Sequence, residues 1–189
     1  MPSTDVQIIN NGLSKIAGNR ISQISPPQTA LERFMAVGYP KWKRYEIAKR
    51  RWNFALEPQY RFTLSEELTH GNFKYRFRLP AECLRPLRDD SSDWKQYGRY
   101  LHSNYPQLSV DLLMNRDEED FDVLFEEVLA CKVAYESCEF VTQSNSKKAT
   151  ALQEYKDAVV EAAKANAFVT GAEDIQDNDA TFSWVADRW

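Results

Sequence analysis

The spacing of apolar residues changes twice along the 189-residue chain, and this change limits the folds that the chain can adopt. Near both ends, over about 5–52 and 118–169, apolar residues recur at the three- and four-residue spacings of an amphipathic helix. Between them, over about 53–115, apolar and polar residues alternate as in a strand with one wet face. The pattern predicts an α+β fold, mainly an α-helical bundle with an inserted antiparallel β-rich region and an extended C-terminal tail.

The helical periods predict four helices, at about 5–17, 28–52, 118–141 and 146–169. Thr29 and Glu32 form a capping-box pattern at the start of the second helix. Gly38 and Pro40 are expected to kink or break that helix, which makes it a helix pair or one bent helix. Acidic residues at 117–120 lie just before or in the first turn of the third helix, where the helix dipole favours negative charge.

Three strands are predicted inside the β-rich region. Tyr60, Phe62 and Leu64 alternate with polar residues, and a second alternating run follows at 73–79. Residues 69–72 are typical of a hairpin turn between these two strands, and a third alternating run lies at 108–114. Together with the helices, these strands are expected to form a single domain over residues 1–171.

Residues 172–189 are predicted to form a C-terminal docking tail. This segment is acidic and irregular, yet it carries aromatic side chains among its polar residues. The aromatic residues either fold back onto the core of the same chain or anchor the tail in a pocket of a partner. The second alternative gives a candidate partner-binding set of Phe182, Trp184, Arg188 and Trp189.

Motifs that link chemistry to a residue spacing are absent from the sequence. It contains no glycine-rich phosphate loop, no HExxH, no paired Cys-x-x-Cys and no G-x-S-x-G. Cys83, Cys131 and Cys138 are expected to be reduced core residues, because their spacing suits no metal. Glu66 and Glu67 cannot share a hydrolase site, since neighbouring residues of a strand point to opposite faces. We therefore predict a non-enzyme without cofactor or metal.

The overall composition bears on nucleic acids and membranes. A formal net charge of −4 argues against nucleic-acid binding as the main task of the whole chain, although local basic patches remain possible. The N-terminus lacks the basic stretch and apolar run of a signal peptide, and no segment approaches the about 20 apolar residues that span a bilayer. The expectation is a cytoplasmic protein with no membrane partner.

Charge is distributed unevenly along the chain. Residues 41–88 contain twelve Lys or Arg against five Asp or Glu, whereas residues 111–139 contain two against ten. The two charged faces can attract each other within one molecule, or they can join neighbouring copies in a heterologous contact that closes into a ring. In a third alternative, basic side chains contact nucleic-acid phosphates. The candidate subunit-contact or DNA-contact set is Lys41, Lys43, Arg44, Lys49, Arg50 and Arg51.

A Trp-x-Phe-Ala segment and a later Tyr and Leu-Pro-x-x-Cys-Leu-Arg segment resemble the head-to-tail adaptor, or tail tubular protein A, family of short-tailed bacteriophages. The segment INNGLSKIAG at 9–18 is similar to the first helix of that family, and the helix expected at 120–140 resembles its long late helix. The Gly38-Tyr39-Pro40 interruption departs from the continuous helix expected for the family. The matching residues are Trp52, Phe54, Ala55, Tyr75, Leu79, Pro80, Cys83, Leu84 and Arg85.

The resemblance implies a structural subunit of the phage head-tail connector, located in the virion at the head-tail interface and assembled in the cytoplasm of the bacterial host. The implied partners are the portal protein, copies of the same chain in a ring that is dodecameric in relatives, and a downstream tail or nozzle protein. Non-specific contact with genomic DNA is a further expectation. The alternatives are a DNA-binding protein that uses the basic helix at 41–51 and a virion-associated cell-wall hydrolase.

Overall fold

A computed structural model describes residues 4–69, 71–88 and 93–170. Over these ranges the chain combines four α-helices with two antiparallel sheets, so the predicted α+β class is confirmed. It divides into a helical unit, made of the chain up to Phe54 and from Asp117 onward, and a sheet unit, Ala55–Arg116. The sheet unit starts two residues after the predicted insert at 53–115 and ends one residue after it. The predicted tail, 172–189, lies outside the described residues.

The helical unit is built around one central helix. The central helix is α3, Val123–Thr142, and α1 (Asp5–Lys15), α2 (Ala30–Lys49) and α4 (Asn145–Thr170) all contact it. The side chains of α3 from Val128 to Ala134, including Lys132, are therefore buried. Asp122 is the N-cap of this helix and accepts a hydrogen bond from the Phe125 amide at 2.8 Å, whereas 118–120 form a short 3-10 turn before it.

Helix α1 approaches α3 closely at Gly12. A Cβ atom on Gly12 would lie 2.5 Å from the Ala130 carbonyl oxygen and 2.7 Å from the Val133 Cβ, so the backbones can meet at this distance because residue 12 has no side chain. Ile8 and Ile9 beside it are fully buried. The glycine and the two isoleucines thus place the first helix against the central one.

Helix α2 is one continuous helix, so of the two predicted alternatives the helix pair is excluded and a single helix is found. Pro40 lies within it, and Gly38 packs against the Trp42 ring, which a Cβ at residue 38 would meet at 2.6 Å. A proline in the helix interior removes one backbone hydrogen bond. Pro40 itself is exposed.

The predicted capping box at the start of α2 is confirmed and belongs to a larger carboxylate site. The Thr29 hydroxyl accepts from the Glu32 amide at 3.1 Å, and Glu32 accepts from the Thr29 amide at 2.9 Å. Glu32 also accepts from the amides of Gln28 and Ser22 and is 2% exposed. These backbone hydrogen bonds, led by those from Thr29 and Gln28, lower the pKa of Glu32 to about 2.

Glu32 is therefore expected to stabilise the fold in a pH-dependent way. Its pKa is lower in the folded chain than in the unfolded one, so its stabilisation is complete above about pH 4.5 and is lost as the pH falls toward 2. We expect Glu32→Gln to lower the melting temperature at pH 7, and the difference from the parent chain should shrink as the pH falls below 4.5. Glu161→Gln, at an exposed glutamate of α4, is the control. A difference that does not vary with pH would contradict this account.

The sheet unit contains seven strands among its described residues: β1 Leu56–Arg61, β2 Leu64–Glu67, β3 Tyr75–Arg78, β4 Cys83–Pro86, β5 Trp94–Tyr97, β6 Tyr100–Ser103 and β7 Ser109–Met114. They form two antiparallel sheets, in the strand orders β1-β7-β4 and β2-β3-β6-β5. The predicted strand from Tyr60 to Leu64 is divided between β1 and β2, and only β2 pairs with β3. The strands β4, β5 and β6 were not predicted, because four residues carry too little alternation to be recognised.

One apolar core holds the sheet unit together. It includes Phe77, Trp94 and Leu101 from the four-stranded sheet, together with Cys83 and Leu112 from the other sheet. The side chains that alternate with Phe77, Trp94 and Leu101 lie on the opposite face of the four-stranded sheet. That outer face takes no part in this core and is available for other contacts.

Candidate interaction surfaces

The predicted basic set does not act as one surface. Lys41 and Arg44 are exposed on α2, whereas Lys43 is not available, because its Nζ lies 3.1 Å from Glu118 and both side chains are mostly buried. This ion pair joins the basic and acidic segments within one chain, as the first of the three charge alternatives expects. Lys41 and Arg44 are thus the members of the set that are best placed to meet a partner.

The other three members of the set lie around the end of α2 and are half-buried. The Lys49 Nζ lies 5.7 Å from the centroid of the Tyr45 ring and 5.9 Å from that of the Tyr155 ring. Asn166 of α4 donates a hydrogen bond from its side-chain amide to the Arg51 carbonyl oxygen at 2.9 Å. The Lys49 side chain and the Arg51 backbone thus both contact the last helix.

A buried ionic cluster lies between α2, α3 and α4. The Lys132 Nζ is 2.8 Å from Glu136 and 3.8 Å from Glu46, whose side chain is 2% exposed. The Tyr155 hydroxyl donates to Glu46 at 2.7 Å, and burial together with the Glu46 charge raises the pKa of Tyr155. Sequence reasoning missed this cluster, although a lysine in the middle of an apolar helix face was a usable signal. It joins three helices.

Apolar side chains form a patch on the helical unit, the Phe140 patch, which comprises the exposed Val37 and Phe140 and the partly buried Phe34. The Phe34 and Phe140 rings stack with their centroids 4.8 Å apart, and Phe140 is 50% exposed. Val37, one turn along α2 from Phe34, is 60% exposed. A contiguous apolar patch on a protein surface marks a site of contact with a partner more often than scattered single residues do.

The end of α4 is also apolar and exposed. Phe168 is 88% exposed and Val169 is 78% exposed. These residues lie just before 172–189, and the predicted partner-binding residues Phe182, Trp184, Arg188 and Trp189 lie outside the described residues. An exposed aromatic side chain and an exposed valine thus lie at the end of the described part of α4.

The outer face of the four-stranded sheet is both basic and aromatic. We call this surface the sheet face, and it comprises Arg76, Arg78, Lys95, Tyr97, Tyr100 and His102. Across the sheet, His102 pairs with Arg76 on one side and with Lys95 on the other, and Tyr100 pairs in the same way with Arg78 and Tyr97. The strands β5 and β6 that supply four of these residues were missed from the sequence, so the surface was missed as well.

A cavity of about 330 Å³ opens beside the sheet face. Phe73 and Lys95 line it together with Trp94 and Tyr105. Arg88, also in the lining, places its guanidinium 6.0 Å from the centroid of the Trp94 ring. Lys95 is the one residue of the sheet face that also lines the cavity, and the acidic Asp93 lines it as well.

The residues considered for catalysis have surroundings that do not activate them. Cys83, Cys131 and Cys138 are free and buried, as predicted, and burial raises the pKa of Cys83 and that of Cys131, the latter to about 11. Glu66 forms an ion pair with Arg76 and is exposed, and Glu67 beside it alternates to the other face. His70 lies outside the described residues.

Residues 4–69, 71–88 and 93–170 contain no group of three or more His, Cys, Asp or Glu side chains that could hold a metal ion. No helix within them is both long enough and apolar enough to cross a membrane.

Comparison with known proteins adds no relative: no family model matches the chain, and no curated protein matches it. The resemblance to phage adaptors therefore depends on the motif residues alone. Trp52, Ala55, Leu79 and Cys83 of that motif are buried to 3% exposure or less. The other five motif residues are only partly buried.

Proposed function

We propose that this chain is a structural subunit of a phage head-to-tail connector, an adaptor ring that binds the portal and joins the DNA-filled capsid to the tail. The observation that carries the proposal is the Phe140 patch. Stacked aromatic rings that are half-exposed lose their contact with water when a partner covers them, which favours association. Lys41 and Arg44 lie on α2 beside this patch and add charge to it.

The arrangement suits a ring built from repeated contacts. A patch on one side of a subunit that meets a different surface of its neighbour makes a heterologous contact, and such contacts close into a ring when the rotation between subunits allows it. Asp117, Glu119, Asp120 and Asp122 are exposed and provide an acidic surface of the kind that Lys41 and Arg44 can meet in a neighbouring copy. Each contact is small, so the portal would act as the template on which the ring closes.

The remaining parts of the proposal come from the resemblance. The partners are the portal protein, copies of the chain itself in a ring that is dodecameric in relatives, and a downstream tail or nozzle protein. The location is the virion, with assembly in the cytoplasm of the bacterial host. The tail at 172–189, which follows the exposed Phe168 and Val169, would supply a second contact with the portal.

A cell-wall hydrolase is less well supported by the geometry. Such an enzyme needs two carboxyl groups that flank one bond. Glu66 and Glu67 alternate across a strand, and Glu66 is already paired with Arg76. This pair of glutamates therefore offers no common site for a sugar.

The proposal predicts that Phe140→Asp weakens binding to the portal ring encoded in the same genome. A charge in the centre of a covered apolar patch is left without a partner, and a loss of about tenfold or more in affinity is typical for a central interface residue. Co-sedimentation of the purified chain with the portal ring measures this. Val160→Asp, at an apolar residue that is 49% exposed on α4, is the matched control and should leave binding unchanged.

The same experiment includes a chain that lacks 172–189. The buried apolar residues of the described chain end at Ala162, so the shortened chain should fold as before and bind the portal less tightly. If the parent chain is folded and does not co-sediment with an intact portal, the connector proposal is wrong. If it co-sediments and Phe140→Asp binds equally well, the connector role holds and the Phe140 patch is not its interface.

A further inference from the structure

The sheet face combines cationic and planar side chains in a regular array. Arg76 and Arg78 lie on β3, Tyr100 and His102 on β6, and Lys95 with Tyr97 on β5. Neighbouring strands are about 4.8 Å apart, so these side chains form two rows across three strands, each row with at least one cation. The opposite face buries Phe77 and Leu101 completely, so the core does not need the outer residues.

The charge of the array is positive. Arg78 and Lys95 are exposed. Arg76 is paired with Glu66, and its guanidinium carbon lies 4.5 Å from the centroid of the Tyr100 ring. Within residues 4–69, 71–88 and 93–170, neither Arg78 nor Lys95 forms an ion pair with a carboxylate, so these two cations are placed to attract an anion.

The aromatic part of the array is open to solvent. Tyr97 is 55% exposed, and its ring centroid lies 5.0 Å from that of His102 and 6.5 Å from that of Phe73. Burial, together with the charge of Arg76, lowers the pKa of His102. His102 is therefore neutral at pH 7 and contributes a planar ring rather than a third charge beside Arg76 and Lys95.

Exposed planar rings beside exposed cations match one class of ligand best. Proteins that bind single-stranded nucleic acid combine a basic surface that follows the phosphates with aromatic side chains on which the bases stack. Four-stranded sheets use this combination, since aromatic residues on their open face stack two or three bases. An acidic peptide would satisfy the cations and leave the rings unused, and the bases of a duplex are already stacked inside the helix.

We propose that the sheet face binds single-stranded nucleic acid, with bases stacked on Tyr97 and its ring neighbours and phosphates held by Arg78 and Lys95. The proposed nucleic-acid contact thus lies in the sheet unit and not in the basic segment at 41–51, where Lys43 forms an ion pair with Glu118. The inference does not depend on the connector role, because it uses no contact with portal, tail or neighbouring subunits.

The test measures the fluorescence anisotropy of a labelled oligo-dT with the full chain, at several salt concentrations. Tyr97→Ala should weaken binding about tenfold, the effect of losing one stacked base, whereas Tyr97→Phe should retain the affinity. Arg78→Ala should reduce the slope of log affinity against log salt by about 0.7, the value for one phosphate contact on a single strand. Lys156→Ala, at an exposed lysine of α4, is the matched control and should change neither quantity.

Each other result overturns the proposal in a defined way. Absence of oligo-dT binding by the folded chain removes it, and equal affinity of Tyr97→Ala and the parent chain removes the stacking that distinguishes a nucleic acid from other anions. Equal or tighter binding of a blunt duplex would show a phosphate-only contact. If a peptide with the sequence of residues 172–187 binds the sheet face and oligo-dT does not displace it, the surface accepts an acidic peptide instead.

Discussion

Replacing Trp52 by alanine is expected to lower the free energy of unfolding by about 4 kcal/mol, the middle of the range for removing a large buried aromatic side chain. Trp52 is 1% exposed, and its ring centroid lies 4.9 Å from that of Phe125 in an edge contact. The indole Nε1 donates to the Glu46 carbonyl oxygen at 2.9 Å near the end of α2. Alanine therefore leaves a cavity beside Phe125 and a buried carbonyl without its donor.

Urea denaturation followed by far-UV circular dichroism measures this loss. Trp52→Phe keeps most of the ring contact and removes the hydrogen bond, so it should cost about 1 to 2 kcal/mol. Val37→Ala, at a residue that is 60% exposed, should stay within about 0.5 kcal/mol of the parent chain. A Trp52→Ala chain as stable as the Val37→Ala chain would show that Trp52 does not hold α2 to the central helix.

Replacing Lys132 by alanine is expected to cost about 3 kcal/mol, because it leaves the buried Glu46 carboxylate without its nearest cation. The Lys132 Nζ lies 5.0 Å from the centroid of the Tyr155 ring and 5.5 Å from that of Tyr45, so cation–π contacts are lost as well. The same denaturation measurement applies. Lys148→Ala is the matched control, because the ion pair of Lys148 with Glu139 is exposed and should contribute less than about 1 kcal/mol.

A double variant separates charge imbalance from loss of packing. Lys132→Met combined with Glu46→Gln removes both charges and keeps similar side-chain volumes, so it should recover much of the stability that Lys132→Ala loses. The glutamine oxygen can still accept the Tyr155 hydroxyl hydrogen bond. A double variant that is no more stable than Lys132→Ala would mean that packing around Lys132, rather than its charge, stabilises the three helices.

The local sequence was sufficient for features that depend on neighbouring residues. The capping box of Thr29 and Glu32 closes within one helical turn, so its two residues identify it without knowledge of the fold. The long apolar period of α3 indicated a helix with apolar residues on two sides, and three other helices pack against it. Cys131 and Cys138 followed from the same period as core residues.

Local sequence was insufficient to predict features that depend on contacts between residues distant along the chain. The four-residue strands β5 and β6 exist because each pairs with a neighbour, and so the sheet face was hidden. Gly38 and Pro40 were expected to kink or break α2. In the folded chain α2 is a single helix, and Gly38 lies against the Trp42 ring. Lys43 belonged to a basic run in the sequence, and its ion pair with Glu118, 75 residues away, appears only in the folded chain.

The sequence by itself determined the α+β class, the four helices, the capping of α2 and the burial of the thiols, because hydrophobic period, capping chemistry and side-chain polarity act over a few residues. Tertiary structure alone decided which charges remain open to a partner and which are used inside the chain. Burial and pairing depend on residues that are distant in sequence and close in space. Lys43 and Lys132 form ion pairs within the chain, whereas Arg78, Lys95, Val37 and Phe140 are exposed.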